Sequence, residues 1–305
     1  MKGEMKKMTS IWTDLLGSEV RYYGNKYRTR VIECGTGEPL IMIHGIGGHA
    51  EAYSRNVVRL GQHFRAMSID LLWHGMSAKP DFSEASEQQV FTYVDQLVDL
   101  MDAAGIESAH IEGESLGGRV ALWFTLRHPH RVKKLILNTS GHIKFKEGEA
   151  EDRPEDGKKL LAERSLQAVR NPSLETTRKR LEWLMASPDR VTDELVDVRY
   201  RFYSDPETRE ALINVFENSF LRDGLEKSLV PEEELIKIEV PTFVLWSDKN
   251  PGKSPEIGKR IAAMMQNAQY YCIEDAAHWP QWEKPEEHDE VVTSFLQGTQ
   301  VYTLV

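Results

Sequence analysis

Cysteine is nearly absent: Cys34 and Cys272 are the only two in 305 residues. Two thiols cannot form a disulfide framework, which excludes the small secreted scaffolds and fits a reducing cytoplasm. Long apolar runs are missing too. Nothing approaches the roughly 18 consecutive apolar residues of a membrane span, and the basic start, Met1 to Lys7, leads into no apolar segment of signal length. Positive charge is in deficit, with 38 Lys+Arg against 48 Asp+Glu and a net charge of −10. An acidic surface repels phosphate backbones, so nucleic acid is not an expected partner. There is no internal repeat, and the histidines show no metal-ligand spacing, so no metal is expected. These absences leave a soluble cytoplasmic protein, with neither membrane nor nucleic acid as partner.

The composition is ordinary for a globular protein, with 40% hydrophobic and 28% charged residues. A chain of this mass buries about 74% of its unfolded surface, enough for a full enzyme core. Short apolar runs bounded by Gly or Asp recur at 31–34, 39–43, 66–70, 109–113 and 134–138, as buried strands do. Between them lie helical patterns. Val90, Tyr93, Val94, Leu97, Leu100 and Met101 fall three or four apart, and Gly105 follows as a stop. A further helix is expected over 116–128. Strand–helix alternation of this kind implies a mostly parallel sheet with helices on both faces, an α/β fold.

The rhythm breaks at 142, where residues 147–156 are strongly acidic and read as a solvated loop or helix face. Helical patterns then run to about 235 without a convincing strand. Strands return at 240–246 and 269–273, with helices at 254–266 and 285–297. The expected organisation is a core of 1–141 and 236–305 with an inserted helical lid of 142–235.

Gly113-Glu114-Ser115-Leu116-Gly117-Gly118 fits the G-x-S-x-G nucleophile elbow, in which a tight strand-to-helix turn exposes the serine hydroxyl. A strand precedes it and a helix follows, as that geometry requires. An oxyanion hole for Ser115 needs two backbone donors. Leu116 N–H at the helix start is one candidate. The other is Ile46 N–H, in the loop His44-Gly45-Ile46-Gly47-Gly48. That loop lacks the G-x-G-x-x-G spacing of a dinucleotide site, so no nucleotide cofactor is expected, and His44 reads as structural. The base should follow the last strand, which singles out His278 in Glu274-Asp275-Ala276-Ala277-His278-Trp279-Pro280.

Together His44-Gly45, the run Asp70 to Ser77, the elbow and His278 resemble the α/β-hydrolase superfamily over nearly the whole chain. Within it the sequence is most similar to the meta-cleavage product hydrolases, which cut C–C bonds in ring-opened aromatic catabolites. Gly113 to Gly118, Leu137 to Gly141, Glu194 to Tyr200 and His278 to Glu283 carry that likeness. The resemblance implies a homodimer with no cofactor and a small-molecule substrate. It implies that Arg199 of the lid faces the substrate's carboxylate or enol end and that Trp279 stands beside the catalytic histidine; Gly45 and Glu114 are further candidate substrate contacts. Trp183, Met185, Tyr200, Tyr203, Phe216 and Phe220 are candidate apolar walls. Two slots that hold Asn in the family hold Glu114 and Ala52 here.

The third triad position departs as well. Where the superfamily places Asp after the strand ending at Trp246, this chain reads Ser247-Asp248-Lys249-Asn250. An amide can accept a hydrogen bond from imidazole but cannot neutralise imidazolium, and an Asp-to-Asn change in a serine triad costs on the order of 10⁴ in kcat. Three readings stand open: a shifted loop recruits Asp248, Asn250 is an introduced replacement, or the chain is a natural variant. The favoured activity is C–C bond hydrolysis by a serine hydrolase. Carboxylesterase, cofactor-free oxygenase and ligand-binding receptor are the alternatives.

Overall fold

A computed structural model describes residues 10–85, 89–146 and 155–302. The basic start and residues 147–154 of the acidic stretch lie outside the described residues. Strands β1 (Glu19–Tyr23), β2 (Thr29–Cys34), β3 (Glu38–Ile43), β4 (Phe64–Ile69), β5 (Ala109–Glu114) and β6 (Val132–Asn138) precede a helical insert. Two-residue strands β7 (Ile143–Lys144) and β8 (Val230–Pro231) bracket that insert, and β9 (Thr242–Ser247) and β10 (Ala268–Ile273) follow it. The main sheet has eight strands in the order β1-β2-β4-β3-β5-β6-β9-β10. It is antiparallel at β1–β2 and β2–β4 and parallel elsewhere.

The period of two along a strand divides the core between the two faces. Ile41 and Ile43 pack with Ile69, Ile111, Leu137 and Val244 beneath the helices Gln89–Ala103, Leu116–Arg127 and Pro255–Ala263. Their neighbours Leu40 and Met42 join Ala66, Ile136, Phe243 and Leu245 beneath the helices Ser54–Leu60 and Pro285–Gln297. The six apolar positions of Gln89–Ala103 named above are all buried, and Gly105 ends that run at φ +67°. Strand β1 has no counterpart in the sequence reading. Its residues are exposed or half-buried on a hairpin edge, so no apolar run marks it.

After β6 the chain runs through helices Glu155–Arg170, Leu174–Glu182, Asp193–Ser204 and Pro206–Leu221 before returning to β9. The expectation of no strand between 142 and 235 is corrected at the two ends of this insert. There Ile143 and Lys144 pair in parallel with Val230 and Pro231. Two residues are too few to show a periodicity, yet they make the insert leave and rejoin the sheet at one place.

A buried polar network crosses the second face. His288 on the last helix has one ring nitrogen 2.9 Å from Glu112 Oε1 and the other 3.0 Å from Asp289 Oδ1. Asn138 Nδ2 donates to Glu112 Oε1 and to Gln281 Oε1, and Asn56 Nδ2 donates to Asp289 Oδ1 and to Gln281 C=O. Strands β5 and β6, the segment after His278 and the last helix are thereby tied together. Burial alone would discharge His288, but the Glu112 and Asp289 carboxylates outweigh it and hold the imidazolium up to about 9. A folded-state value above the ordinary 6.5 stabilises the fold fully below that pH, and the contribution fades as pH rises through about 9. Chemical denaturation between pH 7 and 10 is therefore expected to show a loss of about 3 kcal/mol. His288→Gln should lose clearly less over the same range; an equal loss there would contradict the assignment.

Candidate active site

Ser115 sits between β5 and the helix Leu116–Arg127 at φ 52°, ψ −114°, a backbone state that costs a non-glycine residue on the order of 1–3 kcal/mol. The glycines around it are required by contact. A Cβ on Gly113 would strike the Gly117 backbone, one on Gly117 would strike Ile43 C=O, and one on Gly118 would strike the Ser140 side chain. The helix N-terminus thus presses directly on the strand ends. Ser115 N–H is held by Asn138 C=O at 3.1 Å, and its own carbonyl accepts from Ser140 Oγ at 3.0 Å.

His278 is fixed on both sides. Its N–H donates to Leu184 C=O of the insert at 2.9 Å, and its C=O accepts from Thr139 Oγ1 at 2.9 Å. The loop before it is clamped by Glu283, whose carboxylate accepts from Ala277 N–H at 2.7 Å, Ala186 N–H at 2.9 Å and Arg190 at 2.9 Å. Sequence reasoning passed over Glu283, because nothing in one sequence distinguishes a clamping carboxylate from a surface one.

Asn250 Oδ1 accepts from His278 Nδ1 at 2.7 Å, and Asn250 Nδ2 donates to Lys253 C=O at 3.2 Å. The second bond fixes the amide with its oxygen towards the imidazole. Asn250 therefore occupies the orienting position behind the ring. The recruitment of Asp248 is corrected: that residue is exposed and its carboxylate accepts from Ala276 N–H at 3.2 Å. The loop is held by the turn bond Asn250 N–H to Ser247 C=O, which points the side chain two residues further on at the ring.

A cavity of about 800 Å³ opens over these residues. Ser115, His278, Asn250, Gly45, Ile46, Leu116, Glu114 and Trp279 all line it, with Trp183 and Phe220 from the insert. Met185, Tyr203 and Phe216 are instead buried in the packing of the insert and its seat. The loop at 44–48 is braced by two imidazoles. His44 Nε2 accepts from Leu71 N–H at 3.1 Å and His74 Nε2 from Gly47 N–H at 3.0 Å. As the first residue of its helix, Leu116 has an N–H with no carbonyl four residues earlier to bind.

Arg199 departs from its expected place. It is buried away from the cavity lining, donates to Gly47 C=O at 2.6 Å, and stacks over Trp279 with its guanidinium 5.3 Å from the ring centroid. Its charge braces the loop. The arginines that do line the cavity are Arg119 and Arg180, which the sequence reading did not single out. Both lie within helical patterns, where an arginine reads as an outward charge. Burial lowers Arg119 to about 10.

Glu114 is fully buried at the cavity wall. One oxygen accepts from Gly45 N–H at 2.6 Å, and the other lies 3.1 Å from His278 Nε2. Burial pushes its carboxyl up to about 8, against the opposing pull of the Gly45 N–H and the charges of Arg199 and Arg180.

A sheet of this order, with a strained serine on a strand-to-helix turn and a histidine after the last strand, defines the α/β-hydrolase architecture. Residues 38–285 match the family model of the alpha/beta hydrolase fold, and the chain belongs to that family. It is 29% identical over 274 residues to a 2-hydroxy-6-oxononadienedioate/2-hydroxy-6-oxononatrienedioate hydrolase of Paraburkholderia xenovorans, covering 85% of this chain and 86% of that one. It is 27% identical over 286 residues to a 2-hydroxymuconate semialdehyde hydrolase of Pseudomonas putida, covering 92% and 94%. Among solved structures, a 2-hydroxy-6-oxo-6-phenylhexa-2,4-dienoate hydrolase from Rhodococcus superposes with a TM-score of 0.79 at 21% identity, over 92% of this chain and 99% of that one.

A Cβ at residue 45 would fall inside 3.0 Å of both Glu114 oxygens. Gly45→Ala is therefore expected to destabilise the fold by about 1–3 kcal/mol in urea. The cost should shrink by at least ~0.5 kcal/mol in a Glu114→Ala background, because the two sites share the clash. Equal costs in both backgrounds would contradict this contact.

Proposed function

We propose that the protein is a cofactor-independent serine hydrolase that cleaves the C–C bond beside a ketone in ring-opened aromatic catabolites, with residues 142–235 as its lid. The observation that carries this reading is the shared cavity: Ser115 on its elbow, the oriented His278, Ile46 and Leu116 line one space. His278 Nε2 takes the Ser115 Oγ proton as Oγ attacks the ketone carbon, and the oxyanion rests on the N–H groups of Ile46 and Leu116. The C–C bond then breaks, its electron pair entering the conjugated enol system, and the imidazolium returns the proton to that carbon. Water hydrolyses the acyl-serine with His278 as base. The net change is one ketone plus one water to one carboxylic acid and one protonated fragment.

Charge supports a carboxylate-bearing substrate. Arg119, Arg180, Lys159 and Lys253 line the cavity against Glu114 and Glu226, a cationic wall in a chain of net charge −10. The names of the relatives accord with it, since each acts on an oxo acid or semialdehyde of ring fission.

Turnover of a 2-hydroxy-6-oxo-dienoate, followed by loss of its visible absorbance, tests the reading beside a p-nitrophenyl ester. The protein is expected to cleave the dienoate, and Ser115→Ala to lower kcat by a factor on the order of 10⁴–10⁶. Ester hydrolysis without dienoate cleavage would move the assignment to carboxylesterase. Full dienoate activity in Ser115→Ala would remove the serine as nucleophile.

A further inference from the structure

Glu114 touches the nitrogen that must receive the serine proton, and no role given so far uses it. We propose that Glu114 is the acid partner of His278, sharing one proton with imidazole Nε2 and supplying from the nucleophile side the carboxylate charge that Asn250 cannot supply from behind. The inference rests on the reading of Ser115 as nucleophile and His278 as base.

The tautomer of His278 and an orphaned oxygen on Glu114 argue for the shared proton. Because Asn250 Nδ2 is committed to Lys253 C=O, its oxygen is what faces His278 Nδ1, and Nδ1 carries a hydrogen. In neutral imidazole the other nitrogen then presents a lone pair. Nε2 lies 3.1 Å from Glu114 Oε1. In this conformation the contact is a close approach, and the buried Oε1 has no hydrogen-bond partner among the described residues. Two lone pairs that close repel, so we assign the pair one proton, on the carboxyl or on the imidazole. Burial argues the same way, because a fully buried carboxylate beside a neutral ring is costly. The groups facing Glu114 are Gly45 N–H, Arg180 and Arg199, which favour its charged form, and Glu112, which opposes it. Gly45 completes the seat, since only a residue without Cβ leaves room for this carboxyl.

The consequence is a base with a switchable proton. While the shared proton occupies Nε2, Ser115 has no acceptor. Once it leaves, Glu114 is a carboxylate and Nε2 is bare. The Ser115 proton then produces imidazolium beside a carboxylate, a neutralised pair in place of an isolated buried cation. That proton passes to the departing carbon, and a proton from water takes the same path back to Ser115 Oγ. Glu114 ends each turnover as it began, ionised.

The test is the rate of Ser115 labelling by a fluorophosphonate across pH 5–10, read by intact mass, in the parent chain, Glu114→Gln, Asn250→Asp and the double variant. The parent rate should rise with pH to a plateau with a midpoint near 8. Glu114→Gln keeps an acceptor for Gly45 N–H but has no titrating proton, so its midpoint should fall towards the ordinary imidazole value of about 6.5. Its plateau should drop by a factor on the order of 10²–10⁴, as when a triad carboxylate is lost. In the Asn250→Asp background that drop should shrink at least about tenfold, because a carboxylate then stands behind the ring. Glu114→Asn makes the same comparison should Glu114→Gln fold poorly. An unchanged midpoint, an unchanged plateau, or equal drops in both backgrounds would overturn the role of Glu114 while leaving Ser115 as nucleophile. No labelling of Ser115 in any of the four proteins would overturn the serine reading and this inference together.

Discussion

Backbone meets backbone where the helix Leu116–Arg127 begins. Gly113, Gly117 and Gly118 remove every side chain between that helix and the strand ends, so its first turn lies on Ile43, the 113–114 peptide and Ser140. The strained φ of Ser115 follows, because the chain must reverse within one residue from β5 into the helix. The Leu116 N–H left without an acceptor within its helix follows too, as does the nearness of β5 to the 44–48 loop on β3. Everything else in the site is placed against that junction. The Glu112–His288–Gln281 network fixes the segment after His278 from below, and Glu283 with Arg190 fixes it from the insert side.

The charges of the site are distributed unusually for its architecture. Behind the imidazole stands a neutral amide; in front of it stands a buried carboxyl. Orientation and neutralisation, joined in one aspartate in a serine triad, are thereby separated between Asn250 and Glu114. The cost of burying the Glu114 charge is reduced by the Gly45 N–H and the nearby arginines. Arg199 contributes at one remove, since its direct bond goes to Gly47 C=O.

Much of this was legible in the sequence. Parallel strands covered on both faces are continuous apolar runs, and the elbow needs glycines at fixed places, so β3, β5, β6, β9, Ser115 and His278 could be read directly. Asn250 was placed by counting from Trp246. What escaped did so for physical reasons. Strand β1 is an exposed edge without an apolar run. Arg199, Arg180 and Arg119 lie in helical patterns whose docking one sequence does not reveal. Asp248 and Asn250 lie two residues apart on one loop, and the backbone bonds of that loop to Ser247, Ile273 and Ala276 decide which reaches the ring. Glu114 could be named as a departure, but its contact with His278 depends on the χ angles of a buried side chain.

The central claim, a proton shared in front of an amide-oriented imidazole, is tested most directly by the ¹⁵N resonances of the His278 ring followed across pH, assigned against His278→Gln. The account predicts an Nδ1 that remains protonated throughout and an Nε2 resonance that shifts as the shared proton leaves, in step with the Glu114 carboxyl, which burial pushes up to about 8. An Nε2 that titrates near the ordinary value of about 6.5, and identically in Glu114→Gln, would contradict it.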